Sequence, residues 1–174
     1  MALREILTEP NKILREKSLK VDQVNDDIRK LMDDMLETMY AAPGIGLAAI
    51  QVGVPKRIIV LDISPKDAPK DPMFFVNPEV VLKSDSKSTY EEGCLSVPGQ
   101  FAEIDRPDKC HIKYIDYYGN QKEIKAEGMM ATCIQHEMDH LEGILFIDYL
   151  SKLKKTMIVK KLTKQKKELE RIVV

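Results

Sequence analysis

No run of apolar residues in this chain is long enough to cross a bilayer, which takes about 20 residues, so no membrane partner is expected. Cysteine is scarce, and its odd count of three argues against a disulfide framework. A reducing compartment fits, and there a thiol serves as a ligand or fills a core. Excess charge of either sign is missing too. The formal net charge is −1, which gives no bulk pull toward nucleic acid, and DNA is not expected as a partner. The opening MALREILTEPNKILREK carries Glu5, Glu9 and Glu16 and has no apolar signal core, so no export or transit peptide is expected. No internal repeat is visible. What is left, 44% hydrophobic and 32% charged over 174 residues, is the composition of one globular domain spanning 1–174.

Histidine is scarce as well, which makes its placement informative. Two of the three stand in His136-Glu137-Met138-Asp139-His140. On a helix, positions four apart lie on one face, so both imidazoles can grip one metal ion. Glu137 follows the first ligand and can reach a water on that metal. The competing reading is a surface helix with two solvated histidines, and the surroundings disfavour it.

Pro10 begins a short helical stretch over Asn11 to Lys17. Asn25 is a good N-cap for a second helix. Ile28, Leu31, Met32, Met35, Leu36 and Met39 form its 3.6-residue stripe, read as core, and Ala42-Pro43-Gly44 stops it. Arg57 to Asp62 reads as a buried strand. Met73 to Lys83 is extended but interrupted at Asn77-Pro78. Ser64 to Pro72 and Ser84 to Thr89 read as polar loops. His111 to Tyr117 and Gln121 to Ala126 form a hairpin about Tyr118-Gly119-Asn120. A helix from about Gly128 to Leu141 carries the two histidines.

A last helix runs from about Ser151 to Val174. Leu153, Met157, Ile158, Leu162 and Leu169 are loosely periodic in it. Its polar face is basic: Lys152, Lys154, Lys155, Lys160, Lys161, Lys164, Lys166 and Lys167. A solvated face explains that run. A docking helix for an anionic partner such as RNA explains it too.

A catalytic metal normally has three protein ligands and a place for water. Glu142 is too close in sequence to swing round, and Glu168 and Glu170 sit near the chain end. Gly143 matches the HExxHxxGxxH extension, but Phe146 stands where its third histidine would be. Cys133 shares the helix face of His136 and His140. Three consecutive ligands on one straight helix cannot wrap a tetrahedral ion well, because the outer pair is ~10 Å apart along the axis. Cys133 therefore reads as pocket lining, and Cys110 as core or surface. Cys94 lies beside Gly93, which permits close backbone approach. On its own it is either a buried structural thiol or the third ligand.

The flanking blocks tip that choice. Gly44-Ile45-Gly46-Leu47-Ala48-Ala49-Ile50-Gln51, Glu92-Gly93-Cys94-Leu95-Ser96 and Gln135-His136-Glu137-Met138-Asp139-His140 together resemble the peptide deformylase family, bacterial type, over nearly the whole chain. The resemblance implies an α+β fold. Antiparallel β-sheets would pack around the central HExxH helix, with N-terminal helices and a C-terminal helix. It implies a metallohydrolase of the bacterial cytoplasm that removes the formyl group from N-formylmethionine of nascent polypeptides. Cys94, His136 and His140 would bind one divalent ion per chain. Fe2+ is the expected physiological ion, and Zn2+, Ni2+ or Co2+ can replace it. Glu137 would be general base and acid, with Gln51 and the Leu95 N–H stabilising the oxyanion at ~3 kcal/mol per donor. An extended peptide would pair along Gly44-Ile45-Gly46 and pass Gly93. The methionine pocket would map onto Ile45, Tyr90, Met129, Thr132 and Cys133. The basic C-terminal helix, about 151–174, would offer a ribosome contact.

One position departs from the resemblance. Some bacterial members carry an arginine seven residues after the ligand cysteine, and here that residue is Phe101. Arg106 is near in sequence, but the sequence does not place it. Two other readings remain: a small HExxH protease and a metal-binding protein without activity. Intact Glu137 argues against the second, because a structural metal needs no base.

Overall fold

The computed structural model describes residues 1–173. A short 3-10 turn, Lys12–Arg15, opens the chain, with the Asn11 side chain accepting from the Ile13 N–H. The first helix, α1, spans Asp26–Ala41. Asn25 caps it, its side chain accepting from the Ile28 N–H at 3.0 Å, and Asp26 and Asp27 suit the positive end of the helix dipole.

Seven strands follow: β1 Gly46–Ala48, β2 Ile58–Leu61, β3 Met73–Lys83, β4 Lys87–Cys94, β5 Val97–Pro107, β6 Lys109–Ile115 and β7 Gln121–Glu127. The helices α2, Gly128–Leu141, and α3, Lys152–Ile172, complete the order, with Ser151 capping α3. Val174, the expected last residue of α3, lies outside the described residues.

Five strands form one antiparallel sheet in the order β1-β2-β3-β6-β7, and β4 and β5 pair as a separate ribbon. The main sheet is covered on both faces, which explains why β2 reads as an unbroken apolar run. Ile58, Val60 and Val76 pack under the α1 stripe with Met32, Met35 and Met39. Ile59, Leu61, Phe75 and Ile112 face the other way, toward Ala131, Ile134 and Leu141 of α2. Fully buried side chains such as Met32, Met35 and Met39 each contribute about 1.5–3 kcal/mol. A third cluster, with Val97, Ile104, Phe146 and Leu162, ties the ribbon to α3.

Two expectations change. The polar loop expected over Ser84 to Thr89 ends early, because β4 starts at Lys87. Ser84 and Ser86 do turn the chain, both hydroxyls donating to Asp108. Polar residues pair as a strand there because much of the ribbon faces solvent. β3 runs through Asn77-Pro78 with a bulge instead of breaking. Asn77 takes φ 50, and its side chain bonds the Val21 N–H and carbonyl, both at 2.8 Å. Cys110 is buried in the core on β6.

Candidate metal centre and active site

Helix α2 presents His136 and His140 one turn apart, their ring centroids 5.2 Å from each other. Both are buried. The ribbon brings Cys94 to them from the end of β4, where the Leu95-Ser96 turn reverses the chain and Cys94 pairs with Val97. Its Sγ lies 3.4 Å from His140 Nε2. One donor atom from each of Cys94, His136 and His140 lies within 4.8 Å of the others. Among the described residues this is the group that can hold a metal ion.

Neither competing thiol joins it. Cys133 faces the same cleft, but burial pushes its pKa up to about 12, with the Glu137 and Glu92 charges adding to the effect. Cys110 is in the core. Where the HExxHxxGxxH extension would place its third histidine, Phe146 instead stacks against the His136 ring, with centroids 6.3 Å apart.

His136 is oriented from behind. Its Nδ1 meets Glu92 Oε1 at 2.8 Å, which leaves Nε2 for the centre. Glu92 is itself gripped by Arg106 through two bonds, Nε at 2.7 Å and Nη2 at 2.9 Å. Arg106 Nη1 reaches Asp139 at 2.8 Å, and the Tyr149 hydroxyl donates to the same carboxylate at 2.7 Å. Burial disfavours the Glu92 charge, but the His136 and Arg106 bonds outweigh it and lower its pKa. Burial also disfavours a cationic His136, yet the Cys94 sulfur and Glu92 raise its pKa well above the ordinary value. His140, buried and beside His136, shifts well below it.

Glu137 points toward Gly46 of β1, and burial pushes its pKa up to about 7. Its Oε2 is buried, has no hydrogen-bond partner, and sits 4.0 Å from His140 Nε2. Gln51 approaches from the 3-10 turn after β1. Its Oε1 accepts from the Ala48 N–H at 2.9 Å, which turns Nε2 toward Ser96 Oγ at 3.0 Å and Cys94 Sγ at 3.5 Å. One soft sulfur, two imidazoles and an orphaned carboxylate oxygen alongside are a donor set that fits a divalent cation such as Fe2+ or Zn2+.

These groups open into a cleft of about 500 Å³, a usual size for a small-ligand site. Every residue singled out in the sequence lines it except His140, which lies behind the wall: Gly44, Ile45, Gly46, Gln51, Tyr90 and Gly93 to Leu95 on one part, Met129, Thr132, Cys133, His136 and Glu137 on another. Arg106 was noticed in the sequence but not placed, and Asp139, Tyr149 and Ser96 were given no role of their own. Only the β4–β5 register, which sets Ser88 opposite Arg106, carries the guanidinium back to Glu92.

A family model described as Polypeptide deformylase matches residues 3–156. The chain is 66% identical over 166 residues to the peptide deformylase of Pelagibacter ubique, covering 95% of this chain and 96% of that one. Against the Maricaulis maris peptide deformylase the identity is 63% over 171 residues, with 98% of each covered. The crystal structure of the Ehrlichia chaffeensis peptide deformylase in complex with actinonin aligns at TM-score 0.91 and 46% identity, over 95% of this chain and 98% of that chain. The Legionella pneumophila peptide deformylase structure aligns at TM-score 0.89 and 42% identity, over 98% and 99%.

Proposed function

The chain belongs to the polypeptide deformylase family and is a hydrolase, and from that premise we propose that it removes the formyl group from N-formylmethionyl nascent peptides, releasing formate. The convergence of Cys94, His136 and His140 beside Glu137 and Gln51 in one cleft carries this reading. Cys94, His136 and His140 hold one divalent ion, Fe2+ in the cell, with Zn2+, Ni2+ or Co2+ able to substitute. When bound, the ion supplies a Lewis acid that polarises the formyl carbonyl and acidifies the attacking water.

The chain's own groups do the rest. Glu137 takes the water proton and returns it to the leaving amine, a transfer suited to a carboxyl whose pKa is near 7. The Gln51 amide and the Leu95 N–H donate to the developing oxyanion. β1 is an edge of the main sheet, so an extended peptide can add alongside Gly44-Ile45-Gly46 and run past Gly93. Ile45, Tyr90, Met129, Thr132 and Cys133 receive the methionine side chain, whose thioether suits soft apolar walls.

The chain works as one catalytic domain in the bacterial cytoplasm. No helix of the described residues is long and apolar enough to cross a membrane. In α3, Lys152, Lys154, Lys160, Lys161, Lys164, Lys166 and Lys167 are exposed, and only Leu162 is buried. That face suits a contact with ribosomal RNA, whose salt dependence would reveal it.

The deciding experiment is formate release from a formyl-Met peptide by metal-loaded protein and by Glu137→Ala. The wild type should release formate. The variant should keep its metal and lose about 10²- to 10⁴-fold in rate. Cleavage of internal peptide bonds instead would make the chain a protease.

A further inference from the structure

A second cavity, of about 530 Å³, opens between α1, the start of β3 and the turn after β6, and shares no residue with the catalytic cleft. The chain has six tyrosines and four phenylalanines, and four of those rings line it: Phe74, Tyr114, Tyr117 and Tyr118. Core packing does not account for all of them, because Tyr118 is 77% exposed. The rings also stand at steep angles. Tyr117 meets Tyr118 at 75° with centroids 5.3 Å apart, and meets Phe74 at 55° and 5.0 Å. Ring faces set at such angles around one space make the kind of cage that surrounds an organic cation.

Charge at the cavity agrees. Among the described residues that line it, the charged ones are Asp33 and Asp116, with no lysine or arginine. Each carboxylate is anchored through one oxygen. Tyr117 Oη donates to Asp33 Oδ2 at 3.1 Å, and Asp116 Oδ1 accepts from the Tyr118 and Asn120 N–H groups at 3.0 and 2.9 Å. Asp33 Oδ1 and Asp116 Oδ2 take no hydrogen bond from the described residues. Arg29 lies one turn before Asp33 on α1, but its guanidinium is engaged by Asp26 at 2.8 Å and the Val24 carbonyl at 3.2 Å. A guanidinium suits such a site better than an ammonium, because it stacks on aromatic faces, is more weakly hydrated and forks onto a carboxylate. Pro72 and Met73 extend the wall with apolar surface. The methylene stem of a long side chain covers such surface, which a small free amine would leave bare.

We propose that this cavity receives an arginine side chain from a basic protein segment. The guanidinium enters among Phe74, Tyr117 and Tyr118 and pairs with Asp33 or Asp116, while its stem lies on Met73. The site does not depend on the deformylase reading.

The test titrates the full zinc-loaded chain with acetyl-Gly-Arg-Arg-Gly-amide and with its citrulline and lysine counterparts, followed by NMR of the backbone amides and aromatic rings. Citrulline keeps the shape of arginine and removes its charge. The arginine peptide should give saturable shifts at Asp33, Tyr117 and Tyr118, and bind about tenfold more tightly than the citrulline peptide and about threefold more tightly than the lysine peptide. Tyr118→Leu, at an exposed turn position, keeps apolar cover but removes the π face, and should weaken arginine binding about fivefold. Tyr118→Trp should strengthen it about twofold. Asp33→Asn keeps an acceptor for the Tyr117 hydroxyl but loses the charge, and should weaken it about fivefold. Equal binding of the arginine and citrulline peptides, or an affinity indifferent to both Tyr118→Leu and Asp33→Asn, would show that the rings merely pack α1 against the sheet and would overturn the proposal. Spermidine binding at this site as tightly as the arginine peptide would assign it to a free amine and overturn the proposal as well.

Discussion

Gly46 and Glu137 touch so closely that a Cβ on the glycine would stand 2.6 Å from Glu137 Oε1 and 2.9 Å from its Cδ. The edge strand and the HExxH helix thus meet at the one carboxylate assigned to proton transfer. Gly46→Ala should push that carboxylate aside without touching the ligands. Metal content should hold while kcat falls about 10²-fold, the usual cost of misplacing a reacting group by about 1 Å. Steady-state kinetics beside metal analysis checks this, and an unchanged kcat would mean the contact has no catalytic weight.

The two cleft thiols should separate cleanly. Cys94→Ser replaces the sulfur 3.4 Å from His140 Nε2 and should weaken metal retention on dialysis. Cys133→Ser should leave metal content unchanged, since Cys133 is a cleft-lining thiol held protonated by burial. Equal retention by the two variants would remove Cys94 from the ligand set.

Arg106 is 4% exposed and binds Glu92 and Asp139 at once. Removing one partner of a buried ion pair strands the other charge, at about 3–5 kcal/mol. Arg106→Met should lower unfolding free energy by about that much in urea titrations. It should also loosen the metal, because Glu92 orients His136. A stability change below about 1 kcal/mol would mean that the Glu92 charge finds another partner.

How far the sequence reaches can be seen residue by residue. The α1 stripe, the buried strand β2 and the two histidines were legible because their periodicity is local. Their role as a single site was legible through the three blocks that resemble the family. The ribbon was not. β4 is polar at nearly every position and alternates only in burial, so Lys87, Ser88 and Thr89 read as a loop although they pair with Pro107, Arg106 and Asp105. Arg106 was unplaceable for the same reason: its partner lies 14 residues away, across a register that no local pattern encodes. Asn77-Pro78 reads as an interruption, whereas bonds from Asn77 to Val21 turn it into a bulge within a continuous strand.

Asp34 gives the fold a pH signature remote from the metal. It is buried on α1 and bonds Lys30, the Ala2 N–H and Arg4. Burial alone would raise its pKa, but those bonds outweigh it and hold it at about 2, against 3.8. A depressed carboxylate pKa stabilises the fold above the unfolded value, and that contribution fades as pH falls from about 4 to 2. Asp34→Asn should therefore be less stable than wild type at pH 7, and the gap should narrow across that acid window. Urea midpoints at several pH values test this, and a gap independent of pH would rule it out.

The coordination shell of the loaded protein, read by X-ray absorption at the metal edge, tests the central claim most directly. One sulfur and two imidazole nitrogens around a single divalent ion, with the sulfur lost in Cys94→Ser, is the predicted result. A shell of nitrogen and oxygen alone in the wild type would contradict it.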